Sequence, residues 1–276
     1  MSHPTRSTEE LKRHYEIERV LAHKLRHADR KERLELYPKL YDELYREVPF
    51  LKTNPVTIDQ GHLRATLRLL KPFLGQDKTF LEIGAGNMAV SREVVEHVSH
   101  VYALDVSKEF ATALGPIPNK IDLIISDGIS VPVPPASIDT AYSSQLMEHL
   151  HPDDAREQLK NIFVALKPGG SYLCNTPHQF NGPHDISMYF DETATGFHLK
   201  EYTNGALARL LREAGFSRVF SLTGARGYVL PCPLIVLEAL EFLLNLLPQK
   251  ARKTCSRWLP IKVLLGIRLV GKKSVS

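Results

Sequence analysis

The stretch that most constrains the fold of this chain runs from Thr79 to Ala89 and reads TFLEIGAGNMA. An apolar run ending in Glu82 and Ile83 meets a Gly-Ala-Gly turn at residues 84–86, and helical periodicity follows. The order predicts a strand, a tight turn and a helix. Glycines let the backbone approach a ligand closely, and free N–H groups opening a helix favour polar or anionic ligand atoms. Alone, the turn indicates a nucleotide-like cofactor without saying which one.

Short apolar strands separated by amphipathic helices continue along the chain. They are predicted at Thr79–Ile83, His100–Leu104, Ile121–Ser126, Ile138–Tyr142, Gly170–Asn175, Ser217–Leu222 and Tyr228–Leu230. The alternation predicts an α/β fold with a doubly wound, mostly parallel sheet covered on both faces. We expect an N-terminal helical extension or lid over residues 1–57, a sheet domain over 58–230 and an apolar and basic helical extension over 231–276.

Two charged helices are expected before the sheet domain. A capping box at Ser7 and Glu10 opens the first, which reaches about Ala28. The second, from Lys31 to Val48, contains Pro38, which should break or kink it. Plain packing on the sheet domain and formation of a lid over a substrate cleft are both left open.

Polar residues end successive predicted strands, where ligands bind in an open α/β sheet. Asp105 can accept the ribose hydroxyls that dinucleotide and adenosyl cofactors share. Asp127 suits the exocyclic amine of an adenine, and Glu82 places an anion where a pyrophosphate would be repelled. A cationic sulfonium tolerates that anion, so the pattern favours an adenosyl sulfonium over a dinucleotide.

With these motifs the chain resembles the class I S-adenosylmethionine-dependent methyltransferases. The resemblance rests on residues 81–87, 104–107, 126–128, 138–143 and 166–170 and covers about Gln60 to Leu222. It implies a seven-stranded sheet with a final antiparallel strand, S-adenosyl-L-methionine as cofactor and transfer of a methyl group. The expected cofactor-binding residues are Glu82, Gly84, Ala85, Gly86, Asp105, Val106, Asp127, Gly128 and Ser144.

Histidines follow the fourth and fifth predicted strands and supply candidate bases for a hydroxyl acceptor. His178 is the first candidate catalytic residue, followed by His149 and His151, although any of them could instead hold its loop by hydrogen bonds. Residues 176–200 interleave aromatic and polar side chains, which suits the wall of an acceptor site. There we expect substrate contacts from His184, Asp185, Tyr189 and His198. The predicted reaction is methyl transfer, at oxygen, to a small-molecule or lipid-like acceptor.

Three alternatives stay open. The first is a divalent-metal site built from Glu148, His149, His178, His184 and Asp185. No metal is expected, because Gln145 stands where such a site would want a second acid. The second is an NAD(P)-dependent oxidoreductase, against which Glu82 and Asp127 argue. The third is a non-catalytic S-adenosylmethionine-binding interaction module.

Charge is concentrated near the end of the sequence, where residues 249–276 contain eight basic residues and no acid. An apolar stretch, residues 234–247, precedes them but is too short and too charged to span a bilayer. Peripheral membrane contact is one interpretation; a helix pair closing the acceptor site or forming a dimer is the other. No nucleic-acid partner is expected, because the basic residues alternate with Leu, Ile and Val.

Three scattered cysteines and no secretory signal indicate the cytoplasm, with contact at the inner membrane surface as an option.

Overall fold

The computed structural model describes residues 6–48, 50–51, 59–108, 115–225 and 228–275. The described strands are β1 (Gly75–Ile83), β2 (Val98–Asp105), β3 (Ile121–Ile125), β4 (Ile138–Ser144), β5 (Leu166–Thr176), β6 (Arg218–Ala225), β7 (Tyr228–Cys232) and β8 (Ile267–Lys272). The described α-helices are α1 (Thr8–His27), α2 (Arg30–Glu47), α3 (Gln60–Leu70), α4 (Ala89–Val94), α5 (Pro152–Ala165), α6 (Asn204–Glu213), α7 (Leu234–Asn245), α8 (Gln249–Arg257) and α9 (Leu259–Leu265).

The strands form one sheet in the order β3-β2-β1-β4-β5-β8-β6-β7. The pairs among β1 to β5 are parallel, whereas β8 is antiparallel to both β5 and β6, and β7 is antiparallel to β6. The predicted doubly wound, mostly parallel α/β sheet is therefore confirmed.

The predicted count of seven strands is wrong, since the described sheet has eight. Strand β8 also corrects the prediction that residues 231–276 form a helical extension. It inserts between β5 and β6 and buries Ile267, Leu269 and Val270. Basic residues alternate with the apolar ones in this segment, and for that reason the sequence pattern did not predict a strand inside the sheet. Helices α7, α8 and α9 are thus an insertion between two strands.

The N-terminal helices pack beside the carboxyl edge of the sheet. Capping boxes open both of them, at Ser7 with Glu10 in α1 and at Asp29 with Glu32 in α2. Helix α2 continues through Pro38 without a break, and a kink at this proline stays a prediction. A proline inside a helix costs about 3 kcal/mol; burial of Tyr37, Leu40 and Leu44 on the same helix offsets that cost.

The turn after β1 requires glycine. Gly84 and Gly86 have φ values of 67° and 54°, in the left-handed region that other residues rarely adopt. A Cβ added to Gly84 would also lie 3.1 Å from Leu146 Cδ1. The turn therefore brings its backbone close to the segment after β4, and the two together form the floor of the site described below.

The helical insertion has one buried and one exposed face. Helix α7 buries Leu234, Leu237, Leu244 and the acidic Glu241. Its other face is apolar and exposed, as the fractions for Ile235 (70%) and Phe242 (65%) show. Within the described ranges no helix is long and apolar enough to span a membrane.

Candidate functional site

A cavity of about 200 Å³ lies where β1, β2 and β4 end at their carboxyl edge. Five of the predicted cofactor-binding residues line it: Gly84, Gly86, Asp105, Val106 and Gly128. The loops after β3 and β4 and helix α5 complete the wall with residues outside the predicted cofactor-binding set, namely Ser126, Ser130, Gln145, Leu146, Leu150 and Gln158. The strand ends thus converge as expected for a ligand site in an open α/β sheet.

Asp105 is held in place by the backbone around the cavity. Its Oδ2 accepts a hydrogen bond from Gly86 N at 2.7 Å, and its Oδ1 accepts one from Ser107 N at 2.9 Å. Burial raises the pKa of Asp105, while the hydrogen bonds from Ser107 and Gly86 oppose that rise. The carboxylate has further lone pairs, so it can also accept hydrogen bonds from the hydroxyls of a ligand.

Glu82, predicted to border the cofactor, lies outside the residues that line the cavity. Successive strand residues point to opposite faces, and because Ile83 lines the cavity, Glu82 points away from it. Its Oε2 accepts hydrogen bonds from Ser91 N at 2.9 Å and Ser91 Oγ at 2.5 Å. Burial raises the pKa of Glu82 to about 7. The side chain therefore ties β1 to helix α4. Its contact with a cofactor stays a prediction.

Asp127, Ala85 and Ser144 also lie outside the cavity lining. Asp127 Oδ1 accepts hydrogen bonds from the backbone N–H groups of Ile129 at 2.8 Å and Ser130 at 2.7 Å, so it shapes the loop whose serines line the cavity. Ser144 Oγ accepts from Asn175 Nδ2 at 3.2 Å, and Ala85 N donates to the backbone of β2. These three residues support the site indirectly.

Helix α2 forms a roof over the cavity through Tyr37, Tyr41 and Tyr45, which are spaced four apart and share one helix face. Burial raises the pKa of Tyr45 to about 12 and that of Tyr41 well above its ordinary value, so both rings stay neutral. Their four-residue spacing was visible in the sequence, but it was not distinguishable from a stripe packed into a core. Of the two interpretations left open for α2, this position favours the lid.

Of the three candidate catalytic histidines, His149 lines the cavity. It ends the 3₁₀ helix Met147–His149 directly after β4, and its Nδ1 lies 3.1 Å from the carbonyl oxygen of Phe197. Burial lowers the pKa of His149 to about 3, and nearby His198 adds to that effect. The ring is therefore a neutral imidazole at physiological pH, able to accept a hydrogen bond but weak as a base.

His178 and His151 lie away from the cavity and make structural contacts. The Nε2 of His178 is 3.0 Å from Glu241 Oε1 of α7, and its Nδ1 accepts a hydrogen bond from Phe180 N at 3.1 Å. His151 caps helix α5, accepting from Asp153 N at 3.3 Å. With both of its ring nitrogens engaged, His178 is placed less favourably for the chemistry than His149.

The four predicted substrate residues do not share one cavity. His184 Nε2 lies 2.8 Å from Asn181 Oδ1, and Asp185 accepts from the backbone of Ser187 and His198, so both order their own loop. Tyr189 is exposed, whereas His198 lines a second cavity of about 290 Å³ between this loop and α8. The polar side chains of this loop form hydrogen bonds within the loop itself. The types of residue in the sequence do not reveal which hydrogen bonds they make.

The residues that lie close enough to share a metal ion differ from the predicted set. His178, His184 and Asp185 make the contacts just described, whereas Glu148 and His149 meet His198. One ligand atom from each of these three lies within 4.8 Å of the others. The pairing of His198 with Glu148 crosses about 50 residues of sequence and has no local signal.

Comparison with known proteins agrees with the fold. Residues 81–174 match a family model described as "Methyltransferase domain". A Mycolicibacterium smegmatis protein named "Probable S-adenosylmethionine-dependent methyltransferase" is 28% identical over 149 residues, which are 54% of this chain and 55% of that protein. The chain thus matches about half the length of this curated relative.

Two solved structures show the same fold at low identity. One is a chain from the Haloferax volcanii complex of the methyltransferase activator Trm112 with a methyltransferase, with TM-score 0.58, 17% identity and coverage of 80% of this chain and 94% of that one. The other is the Burkholderia thailandensis 1,6-didemethyltoxoflavin-N1-methyltransferase, with TM-score 0.54, 18% identity and coverage of 90% and 91%. At such identity the likeness concerns the fold.

Proposed function

We propose that this chain, which belongs to the class I S-adenosylmethionine-dependent methyltransferases, transfers the methyl group of S-adenosylmethionine to an oxygen of a small-molecule or lipid-like acceptor. The observation that carries the proposal is the cavity at the strand ends, where the glycine turn, Asp105 and Gly128 face the tyrosine roof. The turn and Asp105 would hold the donor, and the roof would exclude water from the reacting atoms.

In the proposed reaction the acceptor oxygen attacks the sulfonium methyl carbon in line with the breaking bond. A C–O bond forms while the C–S bond breaks with its electron pair on sulfur, leaving the neutral thioether S-adenosylhomocysteine, and the hydroxyl proton passes to water. His149 can accept a hydrogen bond from the hydroxyl but cannot retain its proton at neutral pH, given a pKa of about 3. The proposed transfer therefore does not depend on His149 as a base.

Direct binding tests this proposal against its rivals. Calorimetric titration should show S-adenosylhomocysteine binding and no binding of NAD or NADP; the reverse result would favour an oxidoreductase. Asp105→Ala should weaken binding about 10- to 100-fold, the range expected when hydrogen bonds to a charged group are lost. The exposed Asp122→Ala serves as a control.

Mass spectrometry of a host extract incubated with labelled donor would then identify the acceptor, and binding without any turnover would indicate an interaction module.

We also propose that the helical insertion contacts an anionic membrane surface, which would place the site near a lipid-like acceptor. The outer face of α7 exposes Ile235, Phe242 and Leu243, and Leu246 is exposed just after that helix. Trp258, which follows α8, is 65% exposed. Exposed Lys250, Arg257 and Lys262 belong to the same insertion. Exposed apolar groups beside basic ones are typical of peripheral binding to anionic lipid.

Vesicle sedimentation tests the membrane proposal. The protein should bind phosphatidylserine vesicles and fail to bind pure phosphatidylcholine vesicles, with binding weakened by salt. Replacing Lys250, Arg257 and Lys262 together with Gln should cost about 3 kcal/mol, roughly 100-fold in affinity. Val164→Ser, which alters an exposed apolar residue on α5, should have no effect. A stable dimer in solution that hides Phe242 would instead assign the face to a second copy of the chain.

A further inference from the structure

Three side chains converge at the edge of the donor cavity, and one of them, His149, also lines it. Glu148 and His149 come from the 3₁₀ helix after β4, and His198 comes from the loop after β5. Lys200 N donates to Glu148 O at 3.1 Å, which fixes the loop next to that helix. The rings of His149 and His198 lie 4.8 Å apart, nearly perpendicular to each other. The three residues therefore form one cluster with a defined geometry.

In each residue of this cluster, one polar side-chain atom is within hydrogen-bonding distance of a neighbouring residue outside the cluster. Thr176 Oγ1 donates to Glu148 Oε2 at 2.7 Å. His149 Nδ1 faces the carbonyl oxygen of Phe197 at 3.1 Å, and His198 Nδ1 faces Glu201 Oε1 at 3.0 Å. An Nδ1–H that donates to an oxygen leaves the lone pair on Nε2. Histidines that bind metals are oriented in the same way, by a carbonyl or a carboxylate on the other nitrogen.

The remaining oxygen of Glu148 has no partner. The side chain is fully buried, and Oε1 has no hydrogen bond with any described residue. A buried polar atom left unpaired costs about 1 to 3 kcal/mol, and more when charged. A cation at this point would satisfy it. A set of two imidazole nitrogens and one carboxylate oxygen suits divalent transition-metal ions better than it suits calcium or magnesium ions.

We propose that Glu148, His149 and His198 bind one divalent first-row transition-metal ion beside the methyl-donor cavity. One ligand atom from each residue lies within 4.8 Å of the others. A small inward shift of the three side chains would bring them to the distances of about 2.0 to 2.2 Å at which such ions are bound. Because His149 lines the first cavity and His198 the second, the ion would be reachable from both.

The role of this ion rests on the proposed function. Three protein ligands leave coordination positions open, which an acceptor oxygen can occupy. A bound divalent ion lowers the pKa of a coordinated hydroxyl and so favours the loss of its proton. The methyl transfer itself is unchanged, with the hydroxyl proton released to water. The proposed acceptor is therefore a hydroxylated molecule in which a second oxygen beside that hydroxyl can also coordinate the ion.

Metal titration of the whole chain tests the proposal without any assay of activity. The purified protein, freed of metal by chelation, is titrated with Co²⁺, Mn²⁺ and Zn²⁺ while visible absorption of Co²⁺ and heat are recorded. We expect one ion per chain and a Co²⁺ spectrum typical of mixed nitrogen and oxygen ligation. Glu148→Gln and His198→Ala should lower affinity at least 100-fold. Thr176→Val, which removes the hydroxyl behind Glu148, should lower it about 10- to 100-fold.

Controls separate this proposal from the proposed function. His97→Ala removes an exposed histidine and should leave metal affinity unchanged. S-adenosylhomocysteine binding should survive in Glu148→Gln, which shows that the variant is folded and that the donor site is independent. If Glu148→Gln fails to fold, Thr176→Val carries the test. The proposal is overturned if the wild type binds none of the three ions, or if the variants bind them as tightly as the wild type does.

Discussion

Arg33 of α2 forms two hydrogen bonds with Asp154 of α5, at 2.6 and 2.7 Å, with both side chains buried. Tyr37 adds a third bond to the same carboxylate at 2.8 Å and accepts one from His151 N at 2.9 Å. The hydrogen bonds to Asp154 raise the pKa of Arg33 although burial opposes that rise. This contact joins helix α2, which carries the three tyrosines, to helix α5, which follows His149. One ion pair therefore contributes both to folding stability and to the shape of the cavity.

Arg33→Met should therefore cost about 3 to 5 kcal/mol of folding free energy, because it leaves the Asp154 carboxylate buried without its cation. Urea denaturation followed by circular dichroism measures the loss. The matched control is Arg13→Met, which removes the exposed partner of Glu47 and should leave the midpoint almost unchanged. A loss of stability no larger than that of the control would mean that Tyr37 alone holds Asp154.

Tyr41→Ala should weaken S-adenosylhomocysteine binding about 10-fold. The ring lines the cavity and meets Phe197 edge to face at 5.0 Å between ring centroids, so its removal opens the roof. An aromatic contact of this kind contributes about 0.5 to 1.5 kcal/mol beyond its buried area. Tyr41→Phe keeps the ring and should retain most of the affinity in calorimetric titration. Equal losses in the two variants would assign the effect to the hydroxyl group instead.

Glu82 should make folding stability depend on pH. Its pKa is about 7 in the folded protein against an ordinary value of 4.5, so the folded state binds more protons between these values. Stability contributed by the protonated group is complete below pH 4.5 and is lost as the pH rises towards 7, by up to about 3 kcal/mol. Glu82→Gln should flatten this part of the profile in thermal unfolding scans, whereas the exposed Glu96→Gln should reproduce the wild-type curve.

His178→Ala should reduce stability by about 2 kcal/mol while leaving the methyl-transfer step nearly unchanged. The substitution removes the hydrogen-bond partner of Glu241, which also accepts from the backbone of Asn204 at 2.6 Å and Gly205 at 3.1 Å. Single-turnover kinetics and urea denaturation on the same sample distinguish the two effects. A rate lowered by orders of magnitude at unchanged stability would return the catalytic role to His178, as the sequence alone suggested.

Much of the fold follows from local sequence pattern, because strand and helix periods and glycine turns act over a few residues. The first strand, its turn and the strand end at Asp105 were predictable in this way. The direction of Glu82 was not, since it depends on which face of β1 meets the cavity. Neither was the meeting of Glu148 with His198, because it depends on how a long loop folds back across the sheet.

The strand order also has a consequence for the synthesis of the protein. Strand β8 lies between β5 and β6, although it follows both of them in the sequence. While the chain is still emerging from the ribosome, β1 to β5 can pair in turn and β6 can pair with β7, but these two groups of strands cannot join until residues 267–272 have left the exit tunnel. During that interval the edge of β5 is uncovered, and only the entry of β8 into the sheet satisfies its backbone hydrogen-bonding groups.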